Sequence, residues 1–307
     1  MKIVIGTRGS PLALTQTKWV RAQFLAVNDD IAPEDVTLHI IETKGDKITD
    51  RALAAVGGKG LFTEELEAGL LERSIDFAVH SLKDMPTMLP DGLALGPTPK
   101  REDPRDALIT TDPDIRSITQ LPKGARVGTA SLRRSAQAMA LRPDIEIALI
   151  RGNVQTRINK VLEGQFDATF LACAGLRRLG SDMTHVRPLS TNELLPAPGQ
   201  GALAIEYNTE NQALAERLMR LDDMPSAHAI AAERALLAAI DGDCRTPIAA
   251  HATLDDAGHI SLRAALYTPD GVRAFRAEDR AEANDAARLG QALGDQLRSD
   301  AAGVLFS

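Results

Sequence analysis

One local pattern occurs twice in this chain and restricts the folds open to it. A strand end, Gly-Thr, a short polar turn with a serine and then a helix follow one another in IGTRGSPLAL (5–14) and in VGTASLRRSA (127–136). A second pattern, an acidic residue, a strand and a loop with basic residues, occurs in DFAVHSLKD (76–84) and DATFLACAGLRR (167–178). Strands that alternate with helices predict mostly parallel sheets with helices on their faces.

The first hundred residues contain the predicted elements of one such unit. Ser10 and Pro11 are typical of a helix start, with serine as the N-cap and proline at the first helical position. The segment 42–60 has the composition of a loop. The predicted strands are 2–5, 36–41 and 76–80, and the predicted helices are 11–27 and 62–73.

A proline-rich junction, GPTPKREDPRD (96–106), separates this unit from a second one. Ser131 is the expected N-cap of a helix in the second unit. The pattern changes again at Ser226, where an alanine-rich helix begins a small α+β region. After the junction, the predicted strands are 126–129, 146–150, 168–172, a run within 194–207, 248–253 and 259–266, and the predicted helices are 131–142, 153–163, 226–240 and 281–298.

These elements predict an α/β protein with two lobes of mixed, mostly parallel sheet and a small α+β C-terminal domain. The lobes resemble those of periplasmic binding proteins. Open α/β sheets bind ligands at the carboxyl ends of their strands, so a cleft between two facing lobes is the expected ligand site. The predicted domains are 1–100 with 200–219 for lobe 1, 101–199 for lobe 2 and 220–307 for the C-terminal domain.

Composition argues against several classes of function. The net charge of -7 disfavours a nucleic-acid binder, which needs positive charge along the phosphates, and 3% aromatic residues disfavour base stacking. No apolar run approaches the ~20 residues of a membrane span, and MKIVIGTRGS lacks the apolar core of a signal peptide. Two cysteines form no disulfide framework, and no Cys/His cluster has zinc spacing. We therefore expect a cytoplasmic protein with reduced thiols and no metal.

Arginines are grouped within this acidic chain, and most of them follow predicted strands or open predicted helices. Such positions lie at the expected ligand edge. The planar guanidinium binds carboxylates and phosphates through paired hydrogen bonds, so a group of this size predicts a polyanionic ligand. Taken singly, each arginine is typical of a surface charge. The group consists of Arg8, Arg133, Arg134, Arg151, Arg157, Arg177 and Arg178.

The loop HSLKDMP (80–86) places Ser81, Lys83 and Asp84 directly after a predicted strand. A solvated turn is the simpler interpretation of such a loop. The functional interpretation is a carboxylate held among cations, which stays ionised and can stabilise a positive charge or relay a proton. His80, at the end of the strand, is expected to be structural rather than catalytic.

The two cysteines and one glycine-rich segment complete the candidates. GGKG (57–60) lacks the frame of a P-loop, so a flexible lid with one basic residue, Lys59, is the modest interpretation. Cys173 lies in an apolar run and is expected to be a core thiol. Cys244 lies in the polar stretch IDGDCRTPIAAH (240–251) without an adjacent histidine to act as base. It is either a turn cysteine of no consequence or a thiol that captures an electrophilic carbon once and stays attached.

Taken together, the motifs resemble the porphobilinogen deaminase (hydroxymethylbilane synthase) family. They occur in the family's order from Thr7 to about Ala252, while the last fifty residues match only in general character. The matching stretches are TRGSPLAL, GGKGLF, DFAVHSLKDMP, KREDPRDAL, GTASLRRSAQ, RGNVQTR, AGLRRLG, LPAPGQGALAIE, AAERA and GDCRTPIAAHA.

The resemblance implies a transferase of tetrapyrrole and heme biosynthesis. Members of the family join four porphobilinogen units head to tail, release ammonia and then release linear hydroxymethylbilane. Each unit carries an acetate and a propionate, which agrees with an arginine-rich site. The family's cofactor is a dipyrromethane bound by a thioether to the cysteine of the third domain, here Cys244. The resemblance also implies a monomer that binds a small molecule and neither nucleic acid nor membrane.

The resemblance implies a role for each matching residue. Asp84 matches the catalytic aspartate that stabilises pyrrole-derived cations and handles protons at the pyrrole nitrogens. Ala55 and Asp243 depart from the family, which often has lysine and glycine there. The implied cofactor-binding residues are Cys244, Ser81, Lys83, Thr129, Ser131, Arg133 and Arg134. The implied substrate-binding residues are Arg8, Ser10, Lys59, Arg151, Arg157, Arg178 and Gln200.

Three alternatives compete with this interpretation. A two-lobed binding protein of the periplasmic type would share the lobes, but it would need export and has no use for a third domain with an exposed cysteine. A phosphate-binding transferase that uses GGKG is disfavoured by the broken motif. A non-catalytic homologue is disfavoured because Asp84 and Cys244 are both in place.

Overall fold

The computed structural model describes residues 2–47, 60–240 and 246–306. Within these residues the chain forms three sheets. It divides into two compact units, unit 1 of Met1–Glu102 with Ala202–Ala227 and unit 2 of Asp103–Gly201 with His228–Ser307. None of the helices in the described ranges is long and apolar enough to cross a membrane.

Unit 1 contains a five-stranded sheet in the order β2-β1-β3-β10-β4. Strand β10 is antiparallel to both of its neighbours, whereas β1 is parallel to β2 and β3. Four of the five strands therefore run in one direction. The strands are β1 Ile3–Thr7, β2 Val36–Ile40, β3 Phe77–Ser81, β4 Leu93–Leu95 and β10 Leu203–Asn208. The helices are α1 Pro11–Val27, α2 Lys44–Lys47, α3 Glu64–Leu71 and α7 Gln212–Leu218.

Unit 2 repeats this arrangement in a second sheet, in the order β7-β6-β8-β5-β9. Here β5 is the strand that is antiparallel to both neighbours. The strands are β5 Asp106–Thr110, β6 Arg126–Gly128, β7 Glu146–Ala148, β8 Ala168–Ala172 and β9 Val186–Pro188. The helices are α4 Leu132–Leu141, α5 Val154–Leu162 and α6 Cys173–Arg178.

The C-terminal part of unit 2 is an antiparallel sheet covered by helices. Helix α8 spans Met224–Ile240, and helix α9 spans Ala286–Asp300. Their apolar faces and the inner face of the sheet share one core, in which Leu236, Leu262 and Leu297 are fully buried. The strands are β11 Ile248–Leu254, β12 His259–Tyr267 and β13 Ala274–Glu282.

The helix starts expected from sequence are present. The Ser10 hydroxyl accepts a hydrogen bond from the Ala13 amide at 3.3 Å, and the Ser131 hydroxyl accepts one from the Arg134 amide at 3.4 Å. Each serine satisfies an amide that the first turn of the helix leaves without a partner. Cys173 is fully buried, and burial raises the pKa of its thiol to about 12. The prediction of a packed core thiol is confirmed.

The α/β class, the mostly parallel strand directions and the C-terminal α+β sheet are confirmed. Two local predictions are wrong. Helix α2 occurs inside the segment predicted to be a loop. The last helix begins at Ala286 rather than near Ala281, because β13 extends to Glu282, which pairs with His259. That pairing joins residues distant in sequence, so local periodicity did not show it. The three predicted domain ranges stay a prediction.

Helices α8 and α9 approach each other closely at two glycines of α9. A Cβ atom on Gly290 would lie 2.1 Å from the Ala232 carbonyl oxygen, and one on Gly294 would lie 2.8 Å from the Leu236 carbonyl oxygen. Both obstacles are backbone atoms, which cannot move aside as a side chain can. The absence of a side chain at these two positions therefore sets the distance between the helices.

We predict that Gly290→Ala lowers the free energy of unfolding by about 1–3 kcal/mol, because the added methyl group overpacks this contact. Helix propensity alone would raise the free energy of unfolding of this variant by about 1 kcal/mol. Urea denaturation measures the change. The exposed Ala292→Gly, on the same helix, is the control for propensity and should cost about 1 kcal/mol. A Gly290→Ala variant more stable than the wild type would contradict the close approach.

Candidate functional site

Unit 1 contains a polar pocket at the end of β3 and the start of α1. Its void spans about 440 Å³, including the part open to solvent. The pocket combines a carboxylate, a guanidinium and three hydroxyls with an apolar wall, as ligand sites commonly do. Its lining residues are Arg8, Ser10, Leu12, Ala13, Gln16, Phe62, Thr63, Val79, His80, Ser81 and Asp84.

Asp84 is held in this pocket by the turn that follows β3. Leu82–Asp84 forms a single 3-10 turn, and the Leu82 amide donates to the Ala202 carbonyl at 3.1 Å. The Ser81 hydroxyl accepts a hydrogen bond from the Gln16 side-chain amide at 2.9 Å, which ties the end of β3 to α1. Asp84 itself is exposed to solvent. The turn therefore presents a carboxylate on a fixed backbone, with Ser81 beside it.

Arg8 lines the same pocket and already has partners in this structure. It forms an ion pair with Asp46, with Nε 3.2 Å from Oδ2, and its guanidinium lies 4.0 Å from the centre of the Phe62 ring. Burial of Asp46 would raise its pKa, but hydrogen bonds from Arg8 and Thr43 outweigh burial and lower it. Asp46 therefore stays ionised and holds the guanidinium at the pocket wall.

The second polar site is in unit 2, where one buried carboxylate binds two arginines. Asp106 is fully buried at the start of β5, and Arg133 and Arg134 of α4 are each 6% exposed. Arg133 Nη1 donates to Asp106 Oδ2 at 2.7 Å, and Arg134 donates to Oδ1 from Nε at 3.0 Å and from Nη2 at 2.6 Å. Burial alone would raise the pKa of Asp106, but the two guanidinium groups hold it well below its usual range.

Gln200 belongs to this network. It is fully buried, and its Nε2 donates to the Pro104 carbonyl at 2.7 Å and to Asp106 Oδ1 at 3.1 Å. Arg133 also donates to the Leu195 carbonyl at 2.7 Å, and Arg134 donates to the Phe170 carbonyl at 2.8 Å. These bonds satisfy the buried guanidinium groups in fixed orientations.

Arginine side chains lie close enough around α4 and α5 to affect one another's charge. Burial lowers the pKa of Arg133 although Asp106 acts the other way, and Arg134 adds to the decrease. Burial, followed by the charges of Arg134 and Arg151, lowers the pKa of Arg157 to about 10. Like charges that depress one another in this way favour a bound anion, whose charge would relieve the repulsion. Arg134, Arg151 and Arg157 are called the cation cluster below.

The remaining predicted residues of unit 2 have structural contacts. The Thr129 hydroxyl accepts a hydrogen bond from the Ser131 amide at 3.1 Å, just before α4. Arg178 Nη2 donates to the Gly201 carbonyl at 2.8 Å, close in sequence to Gln200. In unit 1, Lys83 is exposed on the Asp84 turn. The predictions for Lys59, Cys244, Ala55 and Asp243 lie outside the described residues.

Sequence reasoning assigned no role to three buried carboxylates that organise these sites. They are Asp106, Glu206 on β10 and Glu233 on α8, all fully buried. Glu233 accepts hydrogen bonds from the Gly199 amide at 2.7 Å and the Ala252 amide at 2.8 Å. The sequence contains a usable signal for the two that lie on strands, because DALIT and LAIEYN each have one acidic residue among apolar ones. A charge in such a strand requires a partner when it is buried.

Comparison with known proteins gives consistent matches over nearly the whole chain. Residues 3–216 match the family model "Porphobilinogen deaminase, dipyromethane cofactor binding domain", and residues 227–299 match "Porphobilinogen deaminase, C-terminal domain". A porphobilinogen deaminase of Brevibacillus brevis is 46% identical over 304 residues, which cover 99% of this chain and 96% of the relative. One of Nitrobacter hamburgensis is 46% identical over 303 residues, which cover 99% of this chain and 95% of the relative.

Solved structures with a similar arrangement include two binding proteins of transporters. A probable amino-acid ABC transporter extracellular-binding protein from Bacillus subtilis matches 72% of this chain and 90% of its own, with a TM-score of 0.43 and 13% identity. The substrate-binding protein of an amino-acid ABC transporter matches 72% of this chain and 91% of its own, with a TM-score of 0.39 and 14% identity.

We predict that Asp106→Asn lowers the free energy of unfolding by about 3–5 kcal/mol, because it leaves two buried guanidinium groups without a counter-charge. Urea denaturation at pH 7 measures the loss. Because the pKa of Asp106 is depressed, its ionised form stabilises the folded protein at pH values above the ordinary carboxyl pKa near 4. The difference in free energy of unfolding between the wild type and Asp106→Asn should therefore narrow as the pH falls below that pKa.

The matched control is Asp144→Asn, which removes the partner of Arg142 at the surface. This control should change stability far less than Asp106→Asn. Equal losses in the two variants would contradict a special role for the buried carboxylate.

Proposed function

The chain belongs to the porphobilinogen deaminase family, and we propose that it joins four porphobilinogen molecules head to tail with release of ammonia. The growing chain would be built on a covalently bound dipyrromethane and released as linear hydroxymethylbilane. This activity is that of a transferase in tetrapyrrole biosynthesis.

The observation that carries the proposal is the group of arginines in the cofactor-binding part of the chain, whose charges help to lower the pKa of Arg157. The cation cluster of Arg134, Arg151 and Arg157 lies within the residues that match the cofactor-binding family model. Porphobilinogen brings an acetate and a propionate, and a dipyrromethane brings twice as many carboxylates. Guanidinium groups bind carboxylates through paired hydrogen bonds, so a polycarboxylate is the anion that fits several of them together.

The residues present fit a dipyrromethane, since burial and the charges of Arg134 and Arg151 lower the pKa of Arg157, and a bound carboxylate would offset both effects. We propose that Cys244 anchors the cofactor by a thioether and that residues around α4 and the Asp84 turn hold it. When bound, the dipyrromethane would supply a nucleophilic pyrrole ring as primer. The holding residues in this proposal are Ser81, Lys83, Thr129, Ser131, Arg133 and Arg134.

Asp106 has a supporting part in this proposal. It orients Arg133 and Arg134 through three hydrogen bonds of 2.6–3.0 Å while neutralising one of the two charges. One positive charge is then left to attract a ligand carboxylate. Gln200, which we predicted to bind substrate, instead fits a positioning role, because its amide is used within the chain at Pro104 and Asp106.

Asp84 is the residue we propose for the chemistry. Loss of ammonia from an aminomethylpyrrole leaves a cation spread over the ring, and a carboxylate fixed nearby lowers its energy. Such electrostatic stabilisation is often the largest contribution of an enzyme to its rate. The turn after β3 supplies a fixed carboxylate in a polar pocket, as this role requires.

We propose that arginines bind the carboxylates of the substrate and of the growing chain. Arg8 would exchange Asp46 for a ligand carboxylate or bind both. Held side chains fix the orientation of the rings, which lowers the entropic cost of bringing two rings together. The substrate-binding residues in this proposal are Arg8, Ser10, Lys59, Arg151, Arg157 and Arg178.

The proposal also covers the binding partners, the location and the oligomeric state of the enzyme. The substrate is a small molecule, and the net charge of -7 gives no reason to expect a nucleic-acid partner. A cytoplasmic location and a monomeric state stay predictions. Size-exclusion chromatography with light scattering tests the second of these.

The covalent attachment predicts a mass. The intact protein under denaturing conditions should exceed its sequence mass by one dipyrromethane, and Cys244→Ser should remove the excess. Cys173→Ala is the control, because Cys173 is buried in the core and should leave the adduct in place. Active enzyme of unmodified mass would overturn the cofactor assignment.

The proposed role of Asp84 predicts that its replacement leaves the covalent attachment of the dipyrromethane intact but lowers turnover. Asp84→Asn should keep the dipyrromethane mass but lose at least about a hundredfold in kcat, because the amide cannot offset the positive charge of the reacting ring. Asp91→Asn, an exposed aspartate of the same unit outside the pocket lining, should keep normal turnover. Product formation from porphobilinogen measures both, and near-normal turnover of Asp84→Asn would refute the role.

A further inference from the structure

Behind the pocket of unit 1 lies a carboxylate that is poorly accommodated by its surroundings. Glu206 on β10 is fully buried, and neither of its side-chain oxygens accepts a hydrogen bond from any described residue. An ionised carboxylate that is buried without hydrogen bonds costs several kcal/mol. Buried polar groups of this kind require a specific explanation.

The neighbour of Glu206 is His80. In the pairing of β3 with β10, His80 lies opposite Ala204, so Glu206, two residues further on, projects from the same face of the sheet. His80 Nε2 lies 3.1 Å from Glu206 Oε2, and the two side chains are 4% and 0% exposed. The contact lacks the alignment of a hydrogen bond, but it is an ion pair when His80 is protonated. A protonated His80 would offset the isolated charge of Glu206.

A second carboxylate, Glu67 of α3, faces the pair. It is 7% exposed, and its Oε1 has no hydrogen-bond partner among the described residues. Burial raises the pKa of Glu67, and the charge of Glu206 acts in the same direction, while His80 acts against it. The raised pKa moves Glu67 toward its neutral form, while His80 and Glu206 are the two groups in direct contact.

The charged groups around this cluster are few. The strands β1 (IVIGT) and β4 (LAL) carry no titratable side chain. Helix α3 adds Glu64, which is paired with Lys44 at 2.6 Å, and Glu65, which accepts from the Lys44 amide at 3.1 Å. On the pocket side, the charged lining residues are Arg8, held by Asp46, and Asp84.

His80 connects the cluster to the pocket. It is one of the lining residues, together with Ser81 and Asp84, although little of it is exposed. His80 thus belongs both to the lining of the space in which we propose that porphobilinogen reacts and to the contact with the buried Glu206.

We propose that His80 and Glu206, supported by Glu67, store one proton for the reaction in this pocket. The inference rests on the proposed function. His80 gives the proton to the amine that leaves the substrate and takes one back when the acceptor ring is deprotonated. Glu206 and Glu67 are positioning residues, which act through His80.

The reaction takes up and releases the same number of protons, so it needs a group that gives a proton and later takes one back. The C–N bond of the aminomethyl group breaks with its electron pair on nitrogen, and a neutral amine takes up one proton to leave as ammonia. A C–C bond then forms to the acceptor pyrrole, whose ring carbon releases one proton. Each condensation therefore borrows and returns one proton, and no other reactant is needed.

The first test observes the proton directly. In the wild type and in Glu206→Gln, the imidazole nitrogens of His80 are titrated by NMR with backbone-linked assignment. Without the carboxylate the imidazolium is less stable, so the titration midpoint should fall by at least about one pH unit. The matched control is Glu282→Gln, which removes the carboxylate 3.2 Å from His259 on the C-terminal sheet. It should leave His80 unchanged, whereas an unchanged midpoint in Glu206→Gln would overturn the pairing.

The second test measures the pH profile of kcat with porphobilinogen. In Glu206→Gln the basic limb should move to lower pH by the same amount as the titration midpoint, with at least about a tenfold loss of kcat at pH 8.5. KM should change less than twofold, because Glu206 does not line the pocket. A loss of protein stability alone would not shift the basic limb of the kcat profile. A loaded variant with the wild-type profile would overturn the proposal.

Two further outcomes keep the inference separate from the proposed function and from misfolding. Wild-type enzyme that carries the dipyrromethane mass and makes product sustains the proposed function whatever Glu206→Gln does. If Glu206→Gln does not fold, measurements on the wild-type enzyme alone test the proposal. The basic limb of its kcat profile should coincide with the titration midpoint of His80, and a separation of more than about one unit would overturn the store.

Discussion

A carboxylate sealed from water is stable only beside positive charge or with a proton of its own. Two such carboxylates organise the polar sites of this protein. Asp106 draws in the guanidinium groups of Arg133 and Arg134, and Glu206 lies against His80. In each unit the orientation of the candidate functional side chains follows from what the buried acid requires. The rest of each site is built around these pairs.

Both carboxylates lie on the strand that takes the same place in two similar sheets. Asp106 begins β5 and Glu206 lies in β10, and these are the strands that run against their neighbours. Each reversed strand enters its sheet after the chain has left the other sheet. The acid therefore reaches its partner through a contact that is distant in sequence. A buried charge on such a strand makes completion of the sheet and assembly of the site depend on each other.

The two sites differ in their balance of charge. In unit 2 one acid is shared by two arginines, and the charges of Arg134 and Arg151 help to lower the pKa of Arg157. In unit 1 the acids outnumber the cations behind the pocket, and Asp84 is exposed at its surface. The first arrangement is suited to binding a polycarboxylate. The second is suited to stabilising a cation and handling protons.

The sequence by itself determined the local features, because these depend on neighbours along the chain. The caps at Ser10 and Ser131, the strand–helix alternation and the position of Asp84 directly after β3 all followed from short motifs. The motif set also identified the family to which the chain belongs.

Only the tertiary structure decided which charges are shared within the chain. Arg133 and Arg134, which we predicted to hold the cofactor, also share Asp106, and Gln200, 94 residues from Asp106 along the chain, joins them. His80, which we predicted to be structural rather than catalytic, is among the lining residues of the pocket and pairs with Glu206 from another strand. Sequence patterns show that a buried charge needs a partner, but the partner is chosen by packing between segments that are far apart in the chain.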